Sequence, residues 1–242
     1  MGAIFAFSIA FLAEGLGVAI GIILLYIFKI QDKRIMGMLF GATSGIMIAL
    51  ICFDVLPNAL SLNQNLFVFF GVTLGIGIGL SLNKVTYLIE KGLHINGNKN
   101  MQTGMALLMG IAIHNIPEGF AIGALANGSI ETITNFAIIV CLHSIPEAIA
   151  IAIPLKEAGV RKRFLLQIPI VLGAVMGVGA IGGYVLSQIT TSFIAISLGL
   201  TAGIILYIVC DELVPEARHI WNGRMTSVAT VFGILAGMMM MV

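Results

Sequence analysis

Residues 101–155 read MQTGMALLMGIAIHNIPEGFAIGALANGSIETITNFAIIVCLHSIPEAIAIAIPL. Two apolar runs, 101–127 and 130–155, are separated only by Gly128 and Ser129. Each carries a histidine, a proline and a glutamate near its middle. A helix needs about 20 mainly apolar residues to cross the hydrocarbon core of a bilayer. The runs therefore read as two antiparallel membrane spans joined by a tight loop, with their polar motifs at equal depth near the midplane. Those motifs are His114-Asn115-Ile116-Pro117-Glu118-Gly119 and His143-Ser144-Ile145-Pro146-Glu147-Ala148, each followed by Ala-Ile (Ala121-Ile122 and Ala150-Ile151). Residues four apart share a helix face, so His114 can aim with Glu118 and His143 with Glu147. Proline has no N–H, which leaves the carbonyl four residues earlier, that of Ile113 or Leu142, without its helical donor. Ionisable groups and free carbonyls where lipid offers no hydrogen bonds mark function. Two imidazoles and two carboxylates converging there form a nitrogen and oxygen set suited to Zn²⁺, Fe²⁺, Mn²⁺ or similar ions, with no thiolate required.

The flanking sequence follows the same pattern. The chain is 59% hydrophobic and 10% charged, whereas soluble domains are about 25% charged. A mean hydropathy of +1.09 leaves too few polar groups for a water-facing surface. Eight spans are predicted, at roughly 3–28, 35–60, 66–90, 101–127, 130–155, 163–188, 191–217 and 225–242. Connections are short, so an all-α polytopic bundle forms a single transmembrane domain over 1–242. All 12 Lys and Arg fall in or beside the odd-numbered connections. The positive-inside rule then makes those connections cytoplasmic and puts both termini outside. The first span contains Glu14 and lacks a basic leader, so it reads as a mature helix and not as a cleaved signal.

Other features are assigned to packing or solvent. A net charge of +1 gives no pull toward nucleic acid. Cys52, Cys141 and Cys210 lie far apart and make neither a disulfide framework nor a zinc knuckle. Gly71, Gly75 and Gly79, like Gly173 and Gly177, recur every four residues, a spacing that lets helix backbones approach closely in lipid. His94 and His219 read as solvated loop residues, and Met238 to Met241 as lipid-facing filler.

A second pair of motifs lies nearer the ends of two spans. Cys52-Phe53-Asp54-Val55-Leu56-Pro57 and Cys210-Asp211-Glu212-Leu213-Val214-Pro215 both fit Cys-x-acid-x-x-Pro. The first sits toward the outer end of an outgoing segment and the second toward the inner end of an ingoing one. A pseudo-twofold axis in the membrane plane produces this relation, and such inverted repeats hold substrate at the midplane of transporters. Segments 1–3 then mirror 6–8 and segment 4 mirrors 5, an inverted 3+2+3 arrangement. Asp54 falls at the outer mouth, and Asp211, Glu212 and Glu216 at the inner one. Glu14, midway along the first span, either lines the pathway or pairs with a histidine.

On these residues the chain resembles the ZIP (Zrt/Irt-like) metal transporter family, in its bacterial branch and over its whole length. The motif His114 to Gly119 resembles the family's fourth-segment signature, and His143 to Ala148 its fifth. The resemblance implies transport of Zn²⁺, and of Fe²⁺, Mn²⁺ or Cd²⁺, into the cytoplasm. It implies His114, Glu118, His143 and Glu147 as primary ligands with Asn115 beside them, and it matches Met47 to a soft-ligand position in segment 2. It also implies a homodimer, and segments 1, 4, 5 and 6 moving as one against 2, 3, 7 and 8 across glycine-rich faces. Members that hold a second metal use an acid after the fifth-segment histidine and a glutamate in segment 6. Here Ser144 takes the first position and residues 165–188 contain no acid, so one tight site is expected.

The expected mechanism is stepwise dehydration near Asp54, binding at the central site, and exit past Asp211, Glu212 and Glu216. The chain reads as a carrier, with the ion as its substrate and no required cofactor. Ligand imidazoles must be neutral, so acid should compete with metal. The competing reading is an intramembrane zinc hydrolase, which also needs buried histidines and acids. However, HExxH and a Ser or Cys nucleophile motif are absent from the sequence.

Overall fold

A computed structural model of the chain describes residues 2–28, 32–92, 99–126, 128–188 and 190–241. The side chains of Phe28, residues 82–92, Lys99, Thr103, His114, Glu212, Met240 and Met241 lie outside the description, as does His94 altogether. The described residues are helical apart from short turns. Their helices are α1 (Ala3–Phe28), α2 (Lys33–Ser61), α3 (Asn65–Gly92), α4 (Lys99–Leu125), α5 (Ile130–Glu157), α6 (Lys162–Ser187), α7 (Thr191–Ile220) and α8 (Arg224–Met241). Six of them are long and apolar enough over their described residues to cross a membrane, and α3 and α8 contribute shorter apolar stretches. The chain is a polytopic all-α membrane protein, and each predicted span coincides with one helix to within a few residues.

Local chemistry sets several of the helix ends. Ser129 caps α5 by accepting from the Thr132 amide at 3.0 Å, and Thr190 caps α7 by accepting from the Phe193 amide at 3.3 Å. Each satisfies one of the four amides that a helix start leaves without an internal partner. Gly159, at φ +80°, turns the chain from α5 into α6.

Two helices are interrupted by the same device. In α2 the turn Ile51–Val55 is π-helical, and in α7 so is Val209–Leu213. The Leu56 amide donates to the Ile51 carbonyl and the Val214 amide to the Val209 carbonyl, each reaching back five residues. Pro57 and Pro215 stand at the start of the helical turns that follow. With no N–H to donate, each cannot close the α-helical bond to the preceding turn, and the turn widens. The two Cys-x-acid-x-x-Pro motifs of the sequence are these two turns.

The helices pack as two four-helix groups. In one, α1 packs on α5 and α6, and α4 on α6 and α5; in the other, α2 packs on α8 and α3 on α7. The groups meet chiefly where α4 lies on α7 and α5 on α2. Exchanging α1 with α6, α2 with α7, α3 with α8 and α4 with α5 turns each of these pairings into another member of the set.

Glycine has a different place from the one expected. A Cβ on Gly75 would strike the Leu200 carbonyl oxygen, one on Gly45 that of Thr230, one on Gly119 that of Met176 and one on Gly21 that of Ile145. Among the described glycines, every such close neighbour belongs to the same four-helix group. The sequence reading put glycine faces where one group slides on the other; the structure puts them where helices within a group touch backbone to backbone. Main-chain contact this close suits an interface that stays fixed.

Candidate metal centre

The centre is built where α1, α4 and α5 meet. Asn115 and Glu118 from α4, His143, Ser144 and Glu147 from α5 and Glu14 from α1 are all buried, with at most 2% of any of them exposed. Around them lie apolar neighbours in the sequence, such as Ala121, Ile122, Ile139, Val140 and Ala150, which form part of the main core. Six polar or ionisable groups from three helices share this apolar setting, where water and lipid offer no alternative partners.

His143 is held at both nitrogens. Nδ1 lies 3.1 Å from the Ile139 carbonyl oxygen, one turn earlier on the same helix. A carbonyl only accepts, which gives Nδ1 the proton and leaves the Nε2 lone pair available, the arrangement usual behind a metal-bound histidine. Nε2 faces Glu118 across the helix pair, 3.2 Å from Oε1 and 3.3 Å from Oε2. The sequence set His143 with Glu147 on one helix; the structure places its Nε2 against Glu118 of the neighbouring helix. An imidazole and a carboxylate at this range can take a borderline cation between them.

Glu14 ties the third helix in. Its Oε1 accepts from Asn115 Nδ2 at 2.7 Å, and its Oε2 lies 2.5 Å from Ser144 Oγ, which also lies 2.7 Å from the Val140 carbonyl. The two histidine motifs thus share one carboxylate from α1. Among the described residues, the hydrogen bonds of Glu14 go to those that follow the two motif histidines, Asn115 and Ser144. The nearest hydroxyl, Ser144, is bonded to Glu14 and the backbone, so the described side chains form no Ser–His pair of the kind a hydrolase would use.

The remaining expected residues are dispersed. Met47 on α2 is fully buried in the main core. Asp54 lies in the π-helical turn of α2, half-buried; its Oδ1 accepts from Asn58 Nδ2 at 2.7 Å, while Oδ2 accepts from no described residue. In the matching turn of α7, Asp211 is exposed and accepts from the Tyr207 hydroxyl at 3.0 Å. Glu216 is half-buried one turn beyond. The side chains of His114 and Glu212 lie outside the described residues, although both positions are within α4 and α7. Among the described side chains, no three His, Cys, Asp or Glu groups are gathered closely enough to hold an ion.

Thr201 of α7 was not singled out in the sequence. Its hydroxyl donates to the Pro117 carbonyl at 3.3 Å, linking the second group to the motif helix of the first. A threonine in an apolar helix carries no signal that distinguishes this bond from one to its own backbone.

These features define a polytopic membrane protein with a buried imidazole–carboxylate cluster inside one of its two helix groups. The family model described as "ZIP Zinc transporter" matches residues 90–242, and the chain belongs to that family. It is 29% identical to the zinc transporter ZupT of Campylobacter jejuni, in an alignment covering 98% of this chain and 94% of that protein. It is 29% identical to ZupT of Shigella flexneri, covering 87% and 84% of the two chains. It is 28% identical to the zinc transporter ZIP11 of Xenopus tropicalis over 59% of this chain, which spans 44% of that relative's length.

Proposed function

We propose that this protein carries divalent metal ions, zinc foremost and Fe²⁺, Mn²⁺ or Cd²⁺ as further candidates, across a bacterial inner membrane into the cytoplasm. The observation that carries the reading is the meeting of His143 Nε2 and the Glu118 carboxylate, at full burial, from two neighbouring helices. His114, Asn115, Glu118, His143 and Glu147 hold the ion, and Met47 supplies a soft ligand from the facing group. Asp54 receives ions on the outer side, and Asp211, Glu212 and Glu216 release them on the inner side. The basic connections place both termini outside.

The carrier works by alternating access between inverted repeats, segments 1–3 and 6–8, around the central α4–α5 pair. The reciprocal helix pairings and the paired π-helical turns support this symmetry. The group of α1, α4, α5 and α6 moves past the other with the ion inside it. A homodimer is the assembly that the family membership suggests.

The test is zinc flux into proteoliposomes with a chelating dye inside, comparing wild type with Glu118→Ala and Glu147→Ala. Saturable flux in wild type and none in either variant is expected, with all three proteins inserted equally. Normal flux in both variants would overturn the site assignment.

A further inference from the structure

Glu14 is the only Asp, Glu, Lys or Arg in α1, and it is fully buried. A charge at this depth is costly unless its partners repay it. Its partners are specific: the Asn115 amide of α4 and the Ser144 hydroxyl of α5, one residue beyond each of the two motif histidine positions in sequence.

The Asn115 contact decides which end of the amide is which. An asparagine side chain offers an NH₂ donor on one side and an oxygen acceptor on the other, and a half-turn exchanges them. Here Nδ2 lies 2.7 Å from Glu14 Oε1. The reversed amide would set two oxygens against each other at that distance, so the carboxylate forbids it. The amide oxygen is thereby turned away from Glu14, and among the described residues it accepts no hydrogen bond although it is buried. A buried acceptor left without a donor costs free energy unless something takes it up. A cation at the neighbouring His143–Glu118 pair would do so, since an amide oxygen is an acceptable ligand and an amide NH₂ repels a cation.

We propose that Glu14 is a positioning residue for the metal site: it fixes the Asn115 amide so that oxygen, and not NH₂, is offered to the ion. Ser144 holds the other carboxylate oxygen and keeps Glu14 in register with α5. The sequence places no acid directly after His143; here the carboxylate reaches that neighbourhood from α1 and acts through Asn115. This inference rests on the assignment of Asn115 to the metal site.

The experiment measures the zinc dependence of flux in proteoliposomes for wild type, Glu14→Leu, Glu14→Gln and Glu118→Ala. Loss of an outer partner that orients a ligand costs on the order of 10- to 100-fold in metal affinity. Glu14→Leu should therefore raise KM by roughly that factor while maximal flux changes much less. Glu14→Gln should be clearly milder than Glu14→Leu, because a glutamine can still turn an oxygen to the Asn115 amide and donate to Ser144, whose proton then goes to Val140. Equal impairment of Glu14→Gln and Glu14→Leu would overturn the proposal, since the charge and not the acceptor would then matter; an unchanged KM in Glu14→Leu would overturn it as well. Where Glu14→Leu fails to insert, Asn115→Asp decides. Alone it sets two carboxylates against each other and should raise KM, and adding Glu14→Gln restores a donor–acceptor pair and should bring KM back. No recovery in the double variant would overturn the proposal. Normal flux in Glu118→Ala would instead mark failure of the underlying site assignment.

Discussion

Within each four-helix group the helices touch main chain to main chain; between the groups they meet through side chains. Gly75 against Leu200 and Gly45 against Thr230 exemplify the first kind, and the Thr201 hydroxyl on the Pro117 carbonyl the second. Both interfaces are apolar and both are buried from lipid, so hydrophobicity does not separate them. In a bilayer, close backbone approach and interhelical hydrogen bonds are what hold helices together. The difference identifies which parts of the molecule are units. The buried imidazole–carboxylate cluster lies inside one unit, on α1, α4 and α5, so it need not be dismantled for the units to shift; of the proposed ligands, only Met47 comes from the other unit.

The largest effect should come from breaking a backbone contact. Gly75→Leu drives a side chain into the Leu200 carbonyl of α7, and overpacking costs about 1–3 kcal/mol, occasionally more. A Cβ at Gly77, two residues along the same helix, meets nothing within 4 Å, so Gly77→Leu serves as the matched control. Thermal unfolding in detergent should show Gly75→Leu strongly destabilised or unrecoverable, and Gly77→Leu close to wild type. Equal melting of the two would mean that the glycine contacts do not hold α3 to α7.

A middle-sized effect should separate the groups from each other. Gly119→Ala and Gly45→Ala each press a methyl on a facing carbonyl, of Met176 and Thr230 respectively. Both should lower stability. Gly119 directly follows Glu118, so only Gly119→Ala should also raise KM for zinc, by on the order of tenfold. A comparable KM change in Gly45→Ala would show that α2, through Met47 two residues on, contributes to the site as much as α4 does.

The spans were legible in the sequence because hydropathy acts locally. The caps at Ser129 and Thr190 are local too, but the predicted spans did not rest on them. The placement of His143 and Glu118 near one depth was legible too, since helical rise is fixed. Their bond to each other was not: the four-residue spacing pointed His143 at Glu147, and a rotamer choice between two buried acids depends on the neighbouring helix. The Cys-x-acid-x-x-Pro motifs flagged the right positions without their geometry, which needs the proline's missing donor and the bond from five residues back. Glu14 stood out as a charge in an apolar helix, but its partners are 101 and 130 residues away in sequence. Glycine spacing reveals that a face is close-packed and is silent about which helix faces it.

The smallest effect tests the contact between the groups. Pro117 is followed by Ala121, whose amide can serve the Pro117 carbonyl along the helix, so the Thr201 hydroxyl is a second donor to an oxygen already provided for. Thr201→Val keeps the shape of the side chain and removes that donor. Such interhelical bonds average about 0.6 kcal/mol in membrane proteins, so the melting temperature should scarcely move. If transport requires the groups to part in each cycle, the bond must break on the way to the barrier. Its removal should raise maximal zinc flux by up to about threefold, the rate equivalent of that energy, with KM unchanged. A rise in KM would place Thr201 within the metal site, and a fall in maximal flux at constant KM would mean that the bond is made in the transition state and not broken there.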